Sequence, residues 1–87
     1  MTLSYTIHIE QSAQKNLSKI PSQEQNRIIK AIQNLSKNPL PSGSKKLSGR
    51  DAWRIRIGTY RVIYEIHEDK LVVLVVVIGH RKEAYRL

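Results

Sequence analysis

Residues 53–66 read WRIRIGTYRVIYEI, two runs that alternate apolar and polar side chains around Gly58-Thr59. Period-two alternation marks strands with one buried face, and a two-residue break containing glycine marks a tight hairpin. A two-residue turn pairs Ile57 with Tyr60, so Arg56 faces Arg61, Ile55 faces Val62 and Trp53 faces Tyr64. Side chains alternate between the faces of a strand. Trp53, Ile55, Ile57, Tyr60, Val62 and Tyr64 therefore share one face, which is core, while Arg54, Arg56 and Arg61 share the other. Glu65 lies on the arginine face but beyond Ile63, so no carboxylate separates Arg56 from Arg61. Facing like charges destabilise a sheet by a few tenths to ~1 kcal/mol. A bound polyanion reverses that sign, because guanidinium forks grip phosphate through paired hydrogen bonds. The stretch thus predicts a hairpin with a core face and a phosphate-binding face.

The second hairpin strand extends from Tyr60 to His67, and Glu68-Asp69 reads as the next turn. Leu71 to Ile78, LVVLVVVI, is a strand without alternation, so it is expected to be covered on both faces and central. An even-length turn sets Arg61 opposite Val76, and Gly79 is expected to end regular pairing. The tail HRKEAYRL then emerges at the Gly58-Thr59 end of the hairpin, near Arg56 and Arg61.

Upstream, Leu3, Tyr5, Ile7 and Ile9 alternate with polar residues and predict a strand. Ser12 is placed to cap a short helix carrying Ala13, Leu17 and Ile20, which Pro21 stops. Ser22-Gln23-Glu24-Gln25 has the spacing of a capping box. Ile28, Ile29, Ala31, Ile32 and Leu35 follow as one apolar stripe, with the helix ending near Asn38 ahead of Pro39. The two helices form an antiparallel hairpin. Residues 38–52 form the extended loop, in which Lys45-Lys46-Leu47 makes a short edge strand. The fold class is α+β: an N-terminal strand, a helical hairpin, then an antiparallel meander sheet with helices on one face.

With 87 residues, one domain spanning 1–87 is expected. Fifteen Lys and Arg against seven Asp and Glu give a net charge of +8, which points to an anionic partner such as nucleic acid. The absence of cysteine excludes a disulfide framework and a thiolate zinc site. The N-terminus lacks a basic segment followed by an apolar one, and the longest apolar run is too short to cross a bilayer. A soluble cytoplasmic protein that engages no membrane is expected.

The chemistry open to these residues is limited. Metal-dependent nucleases need clustered carboxylates, whereas the seven acids here are scattered, so neither a metal nor another cofactor is expected. RNA can be cut by its own 2′-OH. The protein then supplies a base, cations for the phosphorane and a proton for the leaving 5′-oxygen. Arginines suit the second task, and Tyr85, His80 or Arg81 are candidates for the others. DNA lacks the 2′-OH, so this mechanism selects RNA.

The hairpin residues Gly58, Tyr60, Arg61, Ile63 and Tyr64, followed by the apolar strand and GHRKEAYR, resemble the RelE/ParE superfamily of type II toxins, and its RelE branch most. The resemblance covers essentially the whole chain. It implies an endoribonuclease that cuts messenger RNA in the ribosomal A site, inhibits translation, leaves a 2′,3′-cyclic phosphate and uses no metal. It also implies an antitoxin partner of the RelB type. By position, Arg61 corresponds to a phosphate and transition-state contact, Arg81 to the tail arginine and Tyr85 to the tail tyrosine proposed as base. Arg54 and Arg56 fall where the family carries basic residues, and His80 where some relatives have lysine. Lys45, Lys46 and Lys82 complete the expected RNA-binding set. Two other readings share this fold: a ParE-like inhibitor of DNA gyrase, and an RNA- or ribosome-binding module without catalysis.

Overall fold

The hairpin forms with the expected register in the computed structural model, which describes residues 4–80. β3 (Trp53–Ile57) and β4 (Tyr60–His67) pair Ile57 with Tyr60, Arg56 with Arg61, Ile55 with Val62 and Trp53 with Tyr64. Gly58 turns the chain at φ 62°, a left-handed conformation that glycine enters without a β-carbon clash.

β5 (Val72–His80) lies antiparallel to β4 and is central, as its unbroken apolar run requires. Its other neighbour is β1 (Thr6–Ile9), which runs parallel to it. β2 (Lys45–Lys46) flanks β3, giving the order β1-β5-β4-β3-β2. α1 (Gln11–Ser18) and α2 (Ser22–Asn34) cover one face. Ala13, Ile28, Ile32 and Leu35 from the helical side pack there with Ile55, Val62, Tyr64, Val73, Val75 and Ile78. The alternating residues of the hairpin thus supply the core face predicted for them.

The pairing of β4 with β5 departs from the expected register. Arg61 stands opposite Gly79 rather than Val76, and the strand continues through Gly79 to His80. Two causes add. The turn spans four residues, with His67 paired to Val72, and a bulge then separates Ile63–Val77 from Tyr64–Val75. Val76 is the extra residue, and a bulge of this kind reverses the alternation beyond it. Val73, Val75 and Ile78 accordingly join the main core, while Leu74, Val76 and Val77 join a second cluster with Ala52, Ile63 and Leu47 on the opposite face. The VVV run at positions 75–77 is where the strand changes hands between two cores.

The helix ends also differ from expectation. α1 starts at Gln11 with Glu10, not Ser12, as its cap. The Glu10 N–H completes the sheet by donating to Val75 O at 2.9 Å, and the Glu10 carbonyl accepts the first helical bond from Gln14 N, also at 2.9 Å. The strand therefore hands over to the helix at one residue. At α2 the capping box does not form: Pro21 is the cap, without a side-chain bond. The Gln25 amide instead donates to Leu17 O at 2.8 Å, tying α2 to the end of α1. α2 closes at Asn34, and a turn carries the chain to Asn38, whose N–H donates to Asn34 O.

Tyr64 links the sheet to the loop that follows α2. It is fully buried, and its hydroxyl donates to Pro39 O at 2.7 Å. Burial pushes its pKa up from 10.0 to about 12, against the opposing effect of a hydrogen bond with Ser44. Folding therefore favours the neutral phenol. The stability it contributes is whole below pH 10 and is lost as pH rises through about 12. Tyr64→Phe is expected to unfold at lower denaturant by about 1 kcal/mol at pH 7. The difference between wild type and variant should shrink between pH 10 and 12, as followed by urea denaturation.

Candidate nucleic-acid interface

The face opposite the helices carries the arginines, and the register arranges them in rows. Lys45, Arg54, Ile63 and Val77 form one row across four strands, and Arg56, Arg61 and Gly79 form the next. Gly79, which has no side chain, is the register partner of Arg61 on one side and Arg56 is its partner on the other.

Burial divides the arginines. Arg54 and Arg61 are each 5% exposed, whereas Arg56 is exposed. Alternation places all three on the face away from the main core, and that face carries a second cluster that alternation in the hairpin alone does not reveal. Ala52, Ile63 and Val76 are buried on this face with Leu47 packed against them, and Leu47 N donates to Ala52 O at 2.9 Å, continuing the pairing of β2 with β3.

Two clefts open beside Arg56. One, about 140 Å³, is lined by Arg56, Gly58, Thr59, Tyr60 and Arg61. The other, about 300 Å³, is lined by Ser42, Gly43, Lys45, Arg54, Ile55 and Arg56. Arg56 borders both, so the clefts are neighbours along one basic strip. Among the described residues no carboxylate lines either cleft, and Glu65, further along the same face of β4, is engaged by His67 at 2.9 Å.

The remaining expected residues separate. Lys45 lies beside Arg54 and joins the strip, but Lys46 pairs with Trp53 on the core side and contacts Asp51 at 3.8 Å. His80 stands opposite Tyr60, which packs against the main core, so it belongs to the helix side of the sheet. Its ring meets that of Tyr60 edge-on, with centroids 5.8 Å apart. Arg81, Lys82 and Tyr85 lie outside the described residues. Sequence reasoning missed Ser42, Gly43 and Thr59, which line the clefts, and Arg27 of α2. The Arg27 guanidinium lies 3.8 Å from where a β-carbon on Gly58 would stand. Its position on the polar face of a helix gave no sign that it reaches the hairpin turn. Among the described residues no three His, Cys, Asp or Glu gather as metal ligands, and no helix is long and apolar enough to cross a membrane.

A two-helix, five-stranded domain with a basic strip on the face opposite its helices is the architecture of a small toxin class. Residues 7–85 match the family described as the ParE toxin of type II toxin-antitoxin systems, parDE. The toxin RelG of Mycobacterium tuberculosis is 30% identical, covering 97% of this chain and 99% of its own. Among solved structures, the RelBE2 toxin-antitoxin complex of M. tuberculosis superposes with a TM-score of 0.81 at 26% identity, covering 93% of this chain and 95% of that one. The archaeal RelE-RelB complex of Pyrococcus horikoshii gives 0.78 at 27% identity, over 97% of this chain and 100% of its counterpart. The chain belongs to the RelE/ParE superfamily and is a toxin of the type II toxin-antitoxin class.

The strip makes a quantitative prediction for polyanion binding. Each phosphate neutralised on a single strand contributes a slope of about −0.7 to the dependence of log affinity on log salt. Arg56→Ala, at an exposed position, should leave the fold intact and reduce the slope for a single-stranded RNA oligonucleotide by about 0.7. Titrations at several salt concentrations, read by fluorescence anisotropy, measure it.

Proposed function

We propose that this toxin is a metal-independent endoribonuclease that cuts messenger RNA in the ribosomal A site, and so arrests translation in the cytoplasm. The observation that carries the reading is the Arg56–Arg61 pair, set face to face where both line a cleft that has no carboxylate among the described residues. A like-charged pair gives little to a sheet, but it suits a phosphate whose charge increases in the transition state.

In the proposed reaction the 2′-oxygen attacks the adjacent phosphorus, and its proton passes to a base, for which Tyr85 is the candidate. The bond from phosphorus to the 5′-oxygen breaks, and that oxygen takes up a proton. The products are a 2′,3′-cyclic phosphate and a 5′-hydroxyl. Arg61 and Arg81 hold the phosphorane charge, while Arg54, Arg56 and Lys45 track the backbone. A phenol is a weak base at its ordinary pKa of ~10, and a cation placed beside a phenol favours its ionised form. His80, facing the helices, is removed from this set and is assigned below to a different surface. The partner is a RelB-like antitoxin, whose acidic or apolar surface would neutralise the strip. The relatives solved as RelBE2 and RelE-RelB toxin-antitoxin complexes support this partnership.

A second reading, inhibition of DNA gyrase, is favoured by the match to ParE toxins. Primer extension on transcripts after induction separates the two. Cuts at fixed codon positions are expected, insensitive to EDTA and at least 100-fold reduced by Arg61→Ala, Arg81→Ala or Tyr85→Phe, the scale of losing an acid-base or charge-stabilising group. Growth arrest with intact transcripts and stalled replication would establish the gyrase reading instead.

A further inference from the structure

Tyr60 is a wall between two clefts. On the arginine side it closes the one shared with Arg56 and Arg61. On the helix side it lines a larger one, about 390 Å³, with Asn16, Lys19, Ile20, Gly79 and His80. The second cleft has different chemistry. It offers one amide, one ammonium, one imidazole and two partly buried apolar walls, Ile20 and Tyr60. An asparagine amide both donates and accepts, which is what reading a base edge requires, and a lysine serves as a point charge for phosphate. The Tyr60 and His80 rings, set at 84° to one another, form an aromatic corner against which a flat base can lie.

The surroundings admit an anion. The end of α1 would ordinarily repel one through its unpaired carbonyls. Here Lys15 O accepts from Ser18 Oγ, Asn16 O from Lys19 N, and Leu17 O from both Ile20 N and the Gln25 amide. Among the described residues no carboxylate lines the cleft. Arg27, placed over Gly58, carries positive charge around the hairpin turn.

We infer that the helix-side cleft is a second nucleotide subsite, which takes the base and phosphate of a nucleotide flanking the one held on the arginine face. Asn16 reads the base edge, Lys19 holds the phosphate, and Tyr60 with His80 supplies the stacking wall. The inference rests on the RNA reading of the arginine face and adds to it a source of sequence preference located on α1.

The test uses the purified full chain and 2′-O-methyl RNA, which lacks the attacking hydroxyl and therefore stays intact. Asn16 and Lys19 are exposed, so their alanine variants should fold. A tetranucleotide is expected to bind about tenfold more tightly than a dinucleotide, the gain from one additional charged hydrogen bond. Asn16→Ala and Lys19→Ala should each remove most of that gain and leave dinucleotide affinity unchanged, whereas Arg56→Ala weakens both. Asn16→Ala should also erase any dependence of tetranucleotide affinity on the flanking base. Variants that bind both lengths as wild type does, or lose equally on both, overturn the subsite alone. Failure of the wild type to bind either length overturns the RNA reading and the subsite with it.

Discussion

The structure turns on the two-residue connection at Gly58-Thr59. Once Gly58 takes its left-handed conformation, the register of β3 and β4 has no freedom, and Arg56 must meet Arg61. A slip of one residue would move the arginines into the core and the aromatics out of it, so burial of Ile55, Val62 and Tyr64 enforces the same pairing. The hydrophobic effect thereby maintains an electrostatic arrangement that the arginines themselves disfavour. Each buried aliphatic or aromatic side chain contributes about 1.5–3 kcal/mol, which outweighs a facing-charge penalty of at most ~1 kcal/mol.

The hairpin was legible in the sequence because alternation and turn chemistry agree over 14 residues of continuous chain. The strand after it was legible as central but not in register. An apolar run such as LVVLVVVI gives no parity signal, since each of its residues suits either face. Only the structure shows Val76 bulged and the alternation reversed beyond it. That single residue fixes the orientation of Gly79 and His80, and thus removes His80 from the arginine face. The helix caps failed for a related reason. Ser12 and Ser22 had the right local chemistry, but the handover from β1 at Glu10 and the pull of Leu17 O on the Gln25 amide decided the outcome. Tertiary partners override local capping where both compete for one group.

The candidate site was legible as a set of charges on one face, and illegible in depth. Period-two reasoning says which side of a sheet a residue takes. It cannot say that Leu47 and Ala52 will join Ile63 and Val76 in a second small core there. Alternation set Arg54 and Arg61 on that face with no measure of depth, and both are nearly enclosed. Ser42, Gly43 and Thr59 line the clefts through loop geometry, which leaves no periodic trace.

Enclosure changes what the arginines can do. A guanidinium on an exposed stem loses rotamer entropy when it grips a phosphate, and its charge is diluted by water. One held by the surrounding fold has lost that entropy during folding, and faces a ligand through a medium of lower polarity. Arg61 and Arg54 are of the second kind, and Arg56, standing between the two clefts, is of the first. Burial separates the roles proposed for them. On the nuclease reading, Arg61 would meet the phosphorane charge and Arg54 the backbone from fixed positions, whereas exposed Arg56 would capture the strand through a longer-range attraction that salt can screen. The same enclosure burdens the free protein, because concentrated like charge destabilises a domain carrying +8 over 87 residues. An anionic occupant of this face, whether substrate or neutralising partner, is therefore a stabiliser of the fold as well as its ligand.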